Sequence, residues 1–336
     1  SGTRYITDYY GGDIVSCDSI TINGMVLNEM PEFSLTLADF GIRGSGTKDN
    51  PFKIEDERQL RGLASIVNHG NDMEGKYIRL TSDIDLDNRQ WAPIGKTVSE
   101  YVFYNSEDEF EDDWTVFKGH FDGGNHTISD LSIVYGSRVL KSVGMHNAHL
   151  GLFGLVGRGA SIENLTIENL TIDGSNLVGG FVALIPKTND RNNQNPTATT
   201  LKNLHLSGDV RITAESDAGG ILGRASQDTS LIITDCTVAA DNGSYIRIHD
   251  NADNKYLFDN FFGGLIGTAY SGNLGYGKTM MSGCSVSGLD ITGNFGILGG
   301  LAGHFEQGTI SGVEGEPIVS DMTITLTGNH NSEEEP

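Results

Sequence analysis

The sequence contains few basic residues. Its 336 residues include 22 Lys and Arg against 45 Asp and Glu, which gives a net charge of −23 with histidine neutral. A surface of this sign repels nucleic acid and anionic lipid headgroups, so we exclude nucleic-acid binding and attachment to anionic membranes. The charge instead suits a soluble chain at a cell surface, or one that meets basic partners or cations.

Long apolar runs are absent as well. No stretch stays apolar for 18 residues, so the sequence predicts no transmembrane segment. The chain starts at Ser1 and shows no signal peptide. We expect a secreted or bacterial cell-surface protein from which a signal peptide or lipid anchor has been removed.

Cysteine is also rare, since the chain has only Cys17, Cys236 and Cys284. Three cysteines do not make a disulfide framework. Cys236 and Cys284 occupy the same position of a repeat described below, so we expect them to be neighbours. Buried thiols are the favoured interpretation, and a disulfide between adjacent turns is the alternative that remains open.

Glycine is abundant, at 45 residues, and part of it is periodic. A Gly-led apolar unit of the type Gly-Leu-x-Gly recurs five times, at intervals of 29, 40, 44 and 36 residues, with leading glycines at Gly151, Gly180, Gly220, Gly264 and Gly300. Periods in this range are typical of solenoids, propellers and arrays. We expect the leading glycines to stack at a corner that has no room for a side chain.

A second signature, apolar-x-x-apolar-x-apolar, accompanies each unit. Its short β-branched runs alternate polar with apolar residues, as strands do, and no repeat shows the 3.6-residue period of a helix. A repeat of 29 residues is too short for a propeller blade. One repeat per turn of a parallel β-helix fits best, with ladders spaced by about 4.8 Å. We expect one internal ladder of Leu131, Leu165, Leu204, Cys236 and Cys284, and another of Ile133, Ile167, Leu206, Val238 and Val286.

Three segments together carry a resemblance to a known family. They are Trp91-Ala92-Pro93-Ile94-Gly95, the run Phe117-Lys118-Gly119-His120-Phe121-Asp122-Gly123-Gly124-Asn125-His126-Thr127-Ile128, and Gly151-Leu152-Phe153-Gly154. In this order they resemble the GLUG-motif family of bacterial surface proteins, adhesins and N-terminal regions of IgA-cleaving metallopeptidases. The resemblance covers roughly residues 44–315 and implies a right-handed, single-stranded β-helix of the filamentous-haemagglutinin type. It implies no catalytic residues.

The rest of the chain suggests three regions. Residues 1–43 lie outside the repeats and are predicted to form an N-terminal β cap, with strands at Ser19–Ile22 and Phe33–Leu37. Residues 44–327 form the repeat domain, and 328–336 an acidic tail. One short helix is predicted over 55–68, because Leu60, Leu63, Ala64 and Val67 share a face and Asp56 with Gln59 resembles a capping box.

Insertions between repeats are the natural place for function, because solenoids present variable loops on one or two faces. The segment 97–117 interleaves acids with aromatic residues, a composition that suits sugar binding. The candidate ligand-binding residues are Tyr101, Tyr104, Glu109, Asp112, Asp113 and Trp114. The alternative is that the rings anchor a long loop and the acids are only solvated.

Other motifs are weaker. Asp83, Asp85 and Asp87 resemble the start of a calcium loop, but an exposed acidic row is the favoured interpretation and Ca²⁺ the alternative. Gly272 to Thr279 matches a phosphate-loop pattern, yet a strand rather than the required helix is expected to follow it. The nine histidines show no zinc spacing, and no Gly-x-Ser-x-Gly nucleophile motif occurs.

These observations predict a non-catalytic, adhesin-like, all-β protein that presents loops for binding. A host glycan or an extracellular-matrix protein is the expected ligand, and we expect a monomer. Two alternatives remain from other classes: a β-helix enzyme that cleaves glycans, and a structural stalk. Paired acids converging in a groove would favour the enzyme, and a smooth surface with few loops would favour the stalk.

Overall fold

The fold is described from a computed structural model. It describes residues 36–97, 114–134, 137, 140, 149–174, 176–187, 197–227, 229–248, 260–270, 278–293, 296–306, 308–312 and 317–326, and the backbone of four short N-terminal strands. These four strands are β1 (Arg4–Ile6), β2 (Val15–Cys17), β3 (Ile20–Ile22) and β4 (Met25–Leu27). β1 pairs with β2 and β3 with β4, both antiparallel.

A mixed segment precedes the regular coils. It contains a single 3-10 turn (Leu37–Phe40), β5 (Phe52–Ile54), helix α1 (Glu57–Asn68), β6 (Tyr77–Leu80), β7 (Ile84–Asp85), β8 (Lys96–Thr97) and β9 (Trp114–Thr115). The predicted strand at Phe33–Leu37 is wrong at Leu37, because Leu37 begins the 3-10 turn. Among the described residues, no helix is long and apolar enough to cross a membrane.

The coils then follow one another, each with long-sheet strands and then two short strands. The first three coils are β10 (His120–Val134), β11 (His149–Leu150), β12 (Phe153–Leu155); β13 (Ser161–Asp173), β14 (Leu177–Gly179), β15 (Val182–Ile185); and β16 (Thr199–Ala214), β17 (Asp217–Gly219), β18 (Leu222–Ala225). The remaining strands are β19 (Leu231–Thr234), β20 (Thr237–Ile248), β21 (Asn260–Gly263), β22 (Ile266–Ala269); β23 (Thr279–Ser282), β24 (Ser285–Gly293), β25 (Gly296–Gly299), β26 (Ala302–Phe305); and β27 (Gly308–Ser311), β28 (Val319–Ser320), β29 (Thr323–Leu326).

Equivalent strands of successive coils pair in parallel and build three sheets. The long sheet has 13 strands and runs from β5 to the β27–β29 end. The first short sheet has the order β11-β14-β17-β21-β25, and the second short sheet has the order β12-β15-β18-β22-β26. This topology confirms the predicted parallel β-helix, in which one chain winds through all three sheets once per coil.

The leading glycines stack between the two short sheets, as predicted. A Cβ built on Gly180 would lie 2.2 Å from the carbonyl oxygen of Gly220, and one on Gly220 would lie 2.6 Å from that of Gly264. The same carbonyl accepts the Gly220 N–H, at 3.0 Å. Glycine is required here because the next coil's backbone occupies the position of a side chain, whereas the φ of these residues is not positive.

The predicted ladders need one correction. Leu165, Leu204 and Cys236 do form a ladder that continues to Cys284, but Leu131 pairs with Leu170 and Ile133 with Ile172. The partner of Ile167 is Ile128. The apolar-x-x-apolar-x-apolar signature occurs twice along β13, at residues 162/165/167 and at residues 167/170/172. Residues 128, 131 and 133 of β10 have the same spacing and fit both sets. Because the register of β10 shifts between Asp122 and His126, residues 128, 131 and 133 pair with the second set rather than the first.

A stack of asparagines lies beside the Leu/Cys ladder. Asn203 Nδ2 donates to Asn164 Oδ1 at 3.0 Å and to Asn125 Oδ1 at 3.2 Å. All three residues have a positive φ, between 51° and 61°. Asparagine tolerates this conformation and its amide can hydrogen-bond to the next coil. The stack therefore joins three successive coils through side-chain hydrogen bonds.

Cys236 and Cys284 are neighbours in adjacent coils, and both are buried free thiols. Each donates to a nearby carbonyl oxygen at 3.3 Å, Cys236 to Thr234 and Cys284 to Ser282. Burial raises the pKa of the Cys236 thiol. The favoured interpretation, thiols that replace leucine in a core ladder, is confirmed.

Helix α1 covers the first turn of the solenoid. Leu60, Leu63 and Val67 are fully buried in the core. Asn68 donates to the Pro93 carbonyl and accepts from the Gly95 N–H, both at 2.9 Å. Asp56 caps the helix by accepting from the Gln59 N–H at 2.8 Å, while Gln59 Oε1 accepts from Glu55 instead of closing a capping box on Asp56. The predicted helix and its buried face are confirmed.

The other end of the solenoid leaves its inward-facing residues uncovered. Four large apolar side chains of the last strands are between 41% and 57% exposed, namely Ile310, Val319, Ile324 and Leu326. Their partners one coil earlier, such as Ile291 beside Ile324, are buried. The apolar core therefore reaches the surface at this end within the described residues.

Candidate functional site

The predicted ligand loop is only partly within the described residues. Tyr101, Tyr104, Glu109, Asp112 and Asp113 lie outside them. Trp114 starts β9, which pairs antiparallel with β8, so the two ends of the segment lie side by side. Trp114 is half-buried, and its buried Nε1 has no hydrogen-bond partner. The ligand role of these six residues stays a prediction.

The three aspartates proposed for calcium form an exposed row, with Ile84 and Leu86 buried between them. The Asp83 carboxylate accepts a hydrogen bond from the Thr127 N–H at 2.9 Å and is hydrogen-bonded to His126 Nδ1 at 3.0 Å. These hydrogen bonds lower the pKa of the Asp83 carboxyl. Asp85 accepts from the Asp87 N–H at 2.7 Å. In the described ranges, no three His, Cys, Asp or Glu residues could hold a metal ion. The geometry therefore does not bring these aspartates together as ligands.

The described residues include the end of the phosphate-loop pattern, and its last residue, Thr279, begins strand β23. A strand follows the motif, as expected, and a phosphate loop requires a helix in this place. This arrangement does not fit nucleotide binding.

A more distinctive arrangement lies where the two short sheets meet. Each of four coils contributes one residue three positions before its leading glycine and one residue four positions after it. The first coil contributes His149, two positions before Gly151, and Leu155, four positions after it. We call these residues the seam, and its pairs are Leu177/Leu184, Asp217/Arg224, Phe261/Thr268 and Ile297/His304, preceded by His149/Leu155. None belongs to the continuous hydrophobic core, whereas the adjacent Val178, Ala218 and Phe262 do. Strand alternation thus directs the seam away from the core, but all of its residues except Phe261, Ile297 and His304 are buried.

Close contact between the two short sheets forms the seam. A Cβ on Gly223 would lie 2.6 Å from the Ala183 carbonyl oxygen and 2.8 Å from that of Val178. A Cβ on Gly267 would lie 2.8 Å from the Ala218 nitrogen. The second glycine of the repeat is thus required for the backbones of the two sheets to touch, and this contact places the two columns of seam side chains next to each other.

The centre of the seam holds a buried ion pair. Arg224 Nε and Nη2 donate to the two carboxylate oxygens of Asp217, at 2.5 and 2.8 Å, and the Ser216 hydroxyl donates to the same carboxylate at 2.9 Å. Asp217 is fully buried. Two parallel hydrogen bonds to a carboxylate are the strongest geometry for such a pair, and each charge requires the other because neither is solvated.

Two other buried polar atoms of the seam lack partners. They are Nδ1 of His149 and the hydroxyl of Thr268. Burial, with a smaller contribution from the Arg224 charge, lowers the pKa of His149 to about 4, so this imidazole is neutral at pH 7. An unpaired buried hydroxyl or ring nitrogen costs about 1–3 kcal/mol, so each is a place where a hydrogen-bonding group is missing.

Aromatic rings surround the next part of the seam. Phe261 contacts His304 edge-on with 5.3 Å between centroids, and Tyr270 lies against His304 at 5.2 Å. The Arg224 guanidinium lies over the Tyr270 ring at 5.6 Å, and His304 Nε2 is 3.3 Å from Glu306 Oε1. All three rings are half-buried. We call Phe261, Tyr270 and His304 the ring cluster.

Sequence reasoning missed the seam, although a signal was present. The offsets of −3 and +4 from each leading glycine select the seam residues in four of the five repeats. At Gly220 these offsets give Asp217 and Arg224, an opposite charge pair inside an otherwise apolar repeat. The residues that the repeats share define the leading glycines, whereas the seam is visible only at the positions where the repeats differ.

Comparison with known proteins gives distant relatives. No family model matches the chain. It is 29% identical over 196 residues to halomucin of Haloquadratum walsbyi, covering 58% of this chain and 2% of that protein. It is 26% identical over 130 residues to a "Putative Gly-rich membrane protein" of Evansella cellulosilytica, covering 37% of this chain and 12% of that protein. The chain thus spans a small part of each relative.

A solved structure has the same fold. The crystal structure of a "putative immunoglobulin A1 protease" from Bacteroides ovatus matches with a TM-score of 0.53 at 17% identity, over 85% of this chain and 80% of that one. At this identity the likeness concerns the fold alone. It supports the conclusion that the chain is a parallel β-helix.

Proposed function

We propose that this chain is a non-catalytic, adhesin-like binding module of a secreted or cell-surface protein, and that it binds a glycan or protein ligand at the partly exposed end of the seam, where Phe261, Ile297 and His304 lie. One observation carries the proposal. The seam changes from the buried pairs Leu177/Leu184 and Asp217/Arg224 to the partly exposed Phe261, Ile297 and His304, so it reaches the surface in the last coils. Solenoids use the extended surfaces of their coils for binding.

The insertions support the same face. The segments 135–148 and 249–259 join the short sheets directly before β11 and β21, and the segments 186–198 and 271–278 join directly after β15 and β22. The two sets of insertions are therefore attached to the strands at the two borders of the seam. Solenoids commonly place their inserted loops around the binding face.

Four further observations agree with a surface module that binds a ligand. The net charge of −23 keeps such a chain soluble and monomeric. The resemblance to the GLUG-motif family points to bacterial surface proteins. One of the two relatives is described as a membrane protein. The ring cluster gives the seam accessible aromatic surface, as ligand sites in proteins commonly have.

The proposal is tested by a binding screen against arrayed glycans and extracellular-matrix proteins, with calcium and with chelator. We expect reproducible binding that Tyr270→Ala weakens and that Glu168→Gln, on an exposed position of the long sheet, leaves unchanged. Trp114→Ala tests the predicted 97–117 loop in the same screen. No binding in either condition, or the release of new reducing ends from an arrayed glycan, would contradict a non-catalytic binding module.

A further inference from the structure

We propose that the ring cluster of Phe261, Tyr270 and His304 is the binding site for a neutral, hexose-based glycan. The inference rests on the proposed function and gives it a location and a ligand class. Half-buried rings present apolar faces to solvent, and pyranose rings have apolar C–H faces that pack on them. A compact set of aromatic side chains with a few polar groups is the usual composition of a small-ligand site.

The polar groups of the site favour hydroxyl groups as ligand atoms. Thr268 lies between Arg224 and His304 on the second short sheet, one coil from each. Its buried hydroxyl has no hydrogen-bond partner, and a ligand hydroxyl could act toward it as donor or acceptor. The Glu306 side chain, 34% exposed, adds a carboxylate that accepts from hydroxyl groups. Sugars supply such donors and acceptors around an apolar ring.

The charges of the site argue against ionic ligands. The Arg224 charge is matched by Asp217 through two hydrogen bonds, so it is not available to neutralise a uronate. The Glu306 carboxylate and the net charge of −23 oppose any anionic glycan. A quaternary ammonium would compete with the Arg224 guanidinium, which already occupies the cation position over the Tyr270 ring. A neutral glycan is not repelled by the carboxylate and does not require that cation position.

The apolar surface continues beyond the cluster. Ile297 is paired with Phe261 in the next strand of the first short sheet and is 48% exposed. Adjacent strands are about 4.8 Å apart, so Ile297 extends the contact surface by one coil. A site with this extension favours an oligosaccharide over a single sugar.

The test is isothermal titration of the full chain with maltotetraose, cellotetraose and mannotetraose, and with tetragalacturonate and choline for comparison. We expect at least one neutral oligosaccharide to bind and the two ionic probes not to bind. Tyr270→Ala should weaken binding about tenfold, because it removes a stacked ring. Thr268→Val should weaken it about two- to tenfold through loss of one hydrogen bond.

Matched variants separate contact from folding. Tyr270→Phe retains the ring and should bind within about threefold of the unmodified protein, because only the hydroxyl is lost. Glu168→Gln, at an exposed position of the long sheet, should leave the affinity unchanged. Circular dichroism and thermal unfolding establish that each variant is folded.

The outcomes distinguish this inference from the proposed function. If a neutral glycan binds equally well to Tyr270→Ala and Thr268→Val, the ring cluster is not its site, although the chain remains a binding module. If only tetragalacturonate, choline or an arrayed matrix protein binds, the ligand class is wrong. If no probe and no arrayed ligand binds, both this inference and the proposed function fail.

Discussion

An interior ladder and the seam run in parallel along the same coils, and they follow opposite rules. Six isoleucines occupy one interior position in consecutive coils: Ile133, Ile172, Ile212, Ile246, Ile291 and Ile324. The seam column on the first short sheet reads His149, Leu177, Asp217, Phe261 and Ile297. One column repeats a residue, and the other changes it in every coil.

The difference follows from what each column contacts. An interior side chain packs on the same residue in the coils above and below, so a change of volume in one coil leaves a cavity or a clash in its neighbours. In the seam, Asp217 contacts Arg224 on the other short sheet, so this pair can change as a unit. The interior thus maintains the fold, and the seam is free to acquire specific chemistry.

The ion pair of the seam provides the strongest test of this comparison. Asp217→Ala leaves the Arg224 charge buried without its partner, and we expect a loss of about 3–5 kcal/mol in the free energy of unfolding. The double variant Asp217→Leu with Arg224→Leu copies Leu177/Leu184 of the preceding coil. It should be as stable as the unmodified protein, or more so, because buried ion pairs can be replaced by well-packed apolar residues. Urea unfolding measures both variants.

If the double variant is as unstable as Asp217→Ala, the seam pair is not an exchangeable unit, and the contrast with the interior is lost. Leu177→Ala is a useful control, because it truncates an apolar pair and should cost about 2–5 kcal/mol without any unpaired charge.

The interior ladder gives the second test. Ile212 is fully buried, and Ile212→Ala should lower the free energy of unfolding by about 2–5 kcal/mol through the cavity it creates. Ile324 occupies the same ladder but is 46% exposed. Ile324→Ala should therefore cost clearly less, and urea unfolding of the pair compares the two positions directly. Equal losses would mean that the end of the ladder is covered in solution.

The interior was largely predictable from the sequence, because repetition makes it visible. The leading glycines, the Leu/Cys and Ile/Val ladders and the buried face of α1 all follow from spacing and apolar pattern. The error at Leu131 has a physical cause, since an apolar spacing that occurs twice in one strand cannot fix the register. Only the hydrogen-bonded pairing of β10 with β13 decides it.

The seam could not be predicted in the same way. Whether Asp217 meets Arg224 or solvent depends on the angle at which two sheets meet, and glycine contacts between backbones set this angle. Burial of His149 and exposure of Ile324 are likewise properties of neighbouring coils rather than of local sequence. Local pattern therefore reveals the repeat, and tertiary packing decides what its variable positions do.

His149 allows the seam to be tested by pH. Its pKa is lowered to about 4 in the folded chain, from about 6.5 when unfolded. The unfolded state therefore binds more protons between these values, and stability falls as the pH drops from 6.5 to 4. The contribution is about 3 kcal/mol at one pKa unit per 1.36 kcal/mol.

We expect His149→Leu, which copies Leu177, to be less sensitive to pH in this interval than the unmodified protein. Urea unfolding at pH 7, 5.5 and 4 measures the difference. Asp83, whose pKa is lowered, contributes stability above its unfolded value near 4 and loses it at lower pH, so its effect falls outside most of the interval. Identical profiles for the two proteins would show that His149 is accessible to protons in the folded state.

The asparagine stack tests whether a polar column can be as regular as the interior. Asn203 has a φ of 51°, its Nδ2 donates to Asn125 and Asn164, and its Oδ1 accepts from His205 Nε2 at 2.9 Å. Asn203→Ala combines the cost of a left-handed backbone with the loss of hydrogen bonds, and we expect it to lower the free energy of unfolding by about 2–3 kcal/mol.

Asn203→Gly is the matched control. Glycine adopts this backbone conformation at no steric cost, as Gly283 does two coils later with a φ of 64°. Asn203→Gly should lose only about 1 kcal/mol. Urea unfolding of the two variants separates these contributions: a smaller loss for alanine than for glycine would mean that side-chain hydrogen bonds, rather than backbone conformation, select asparagine in this column.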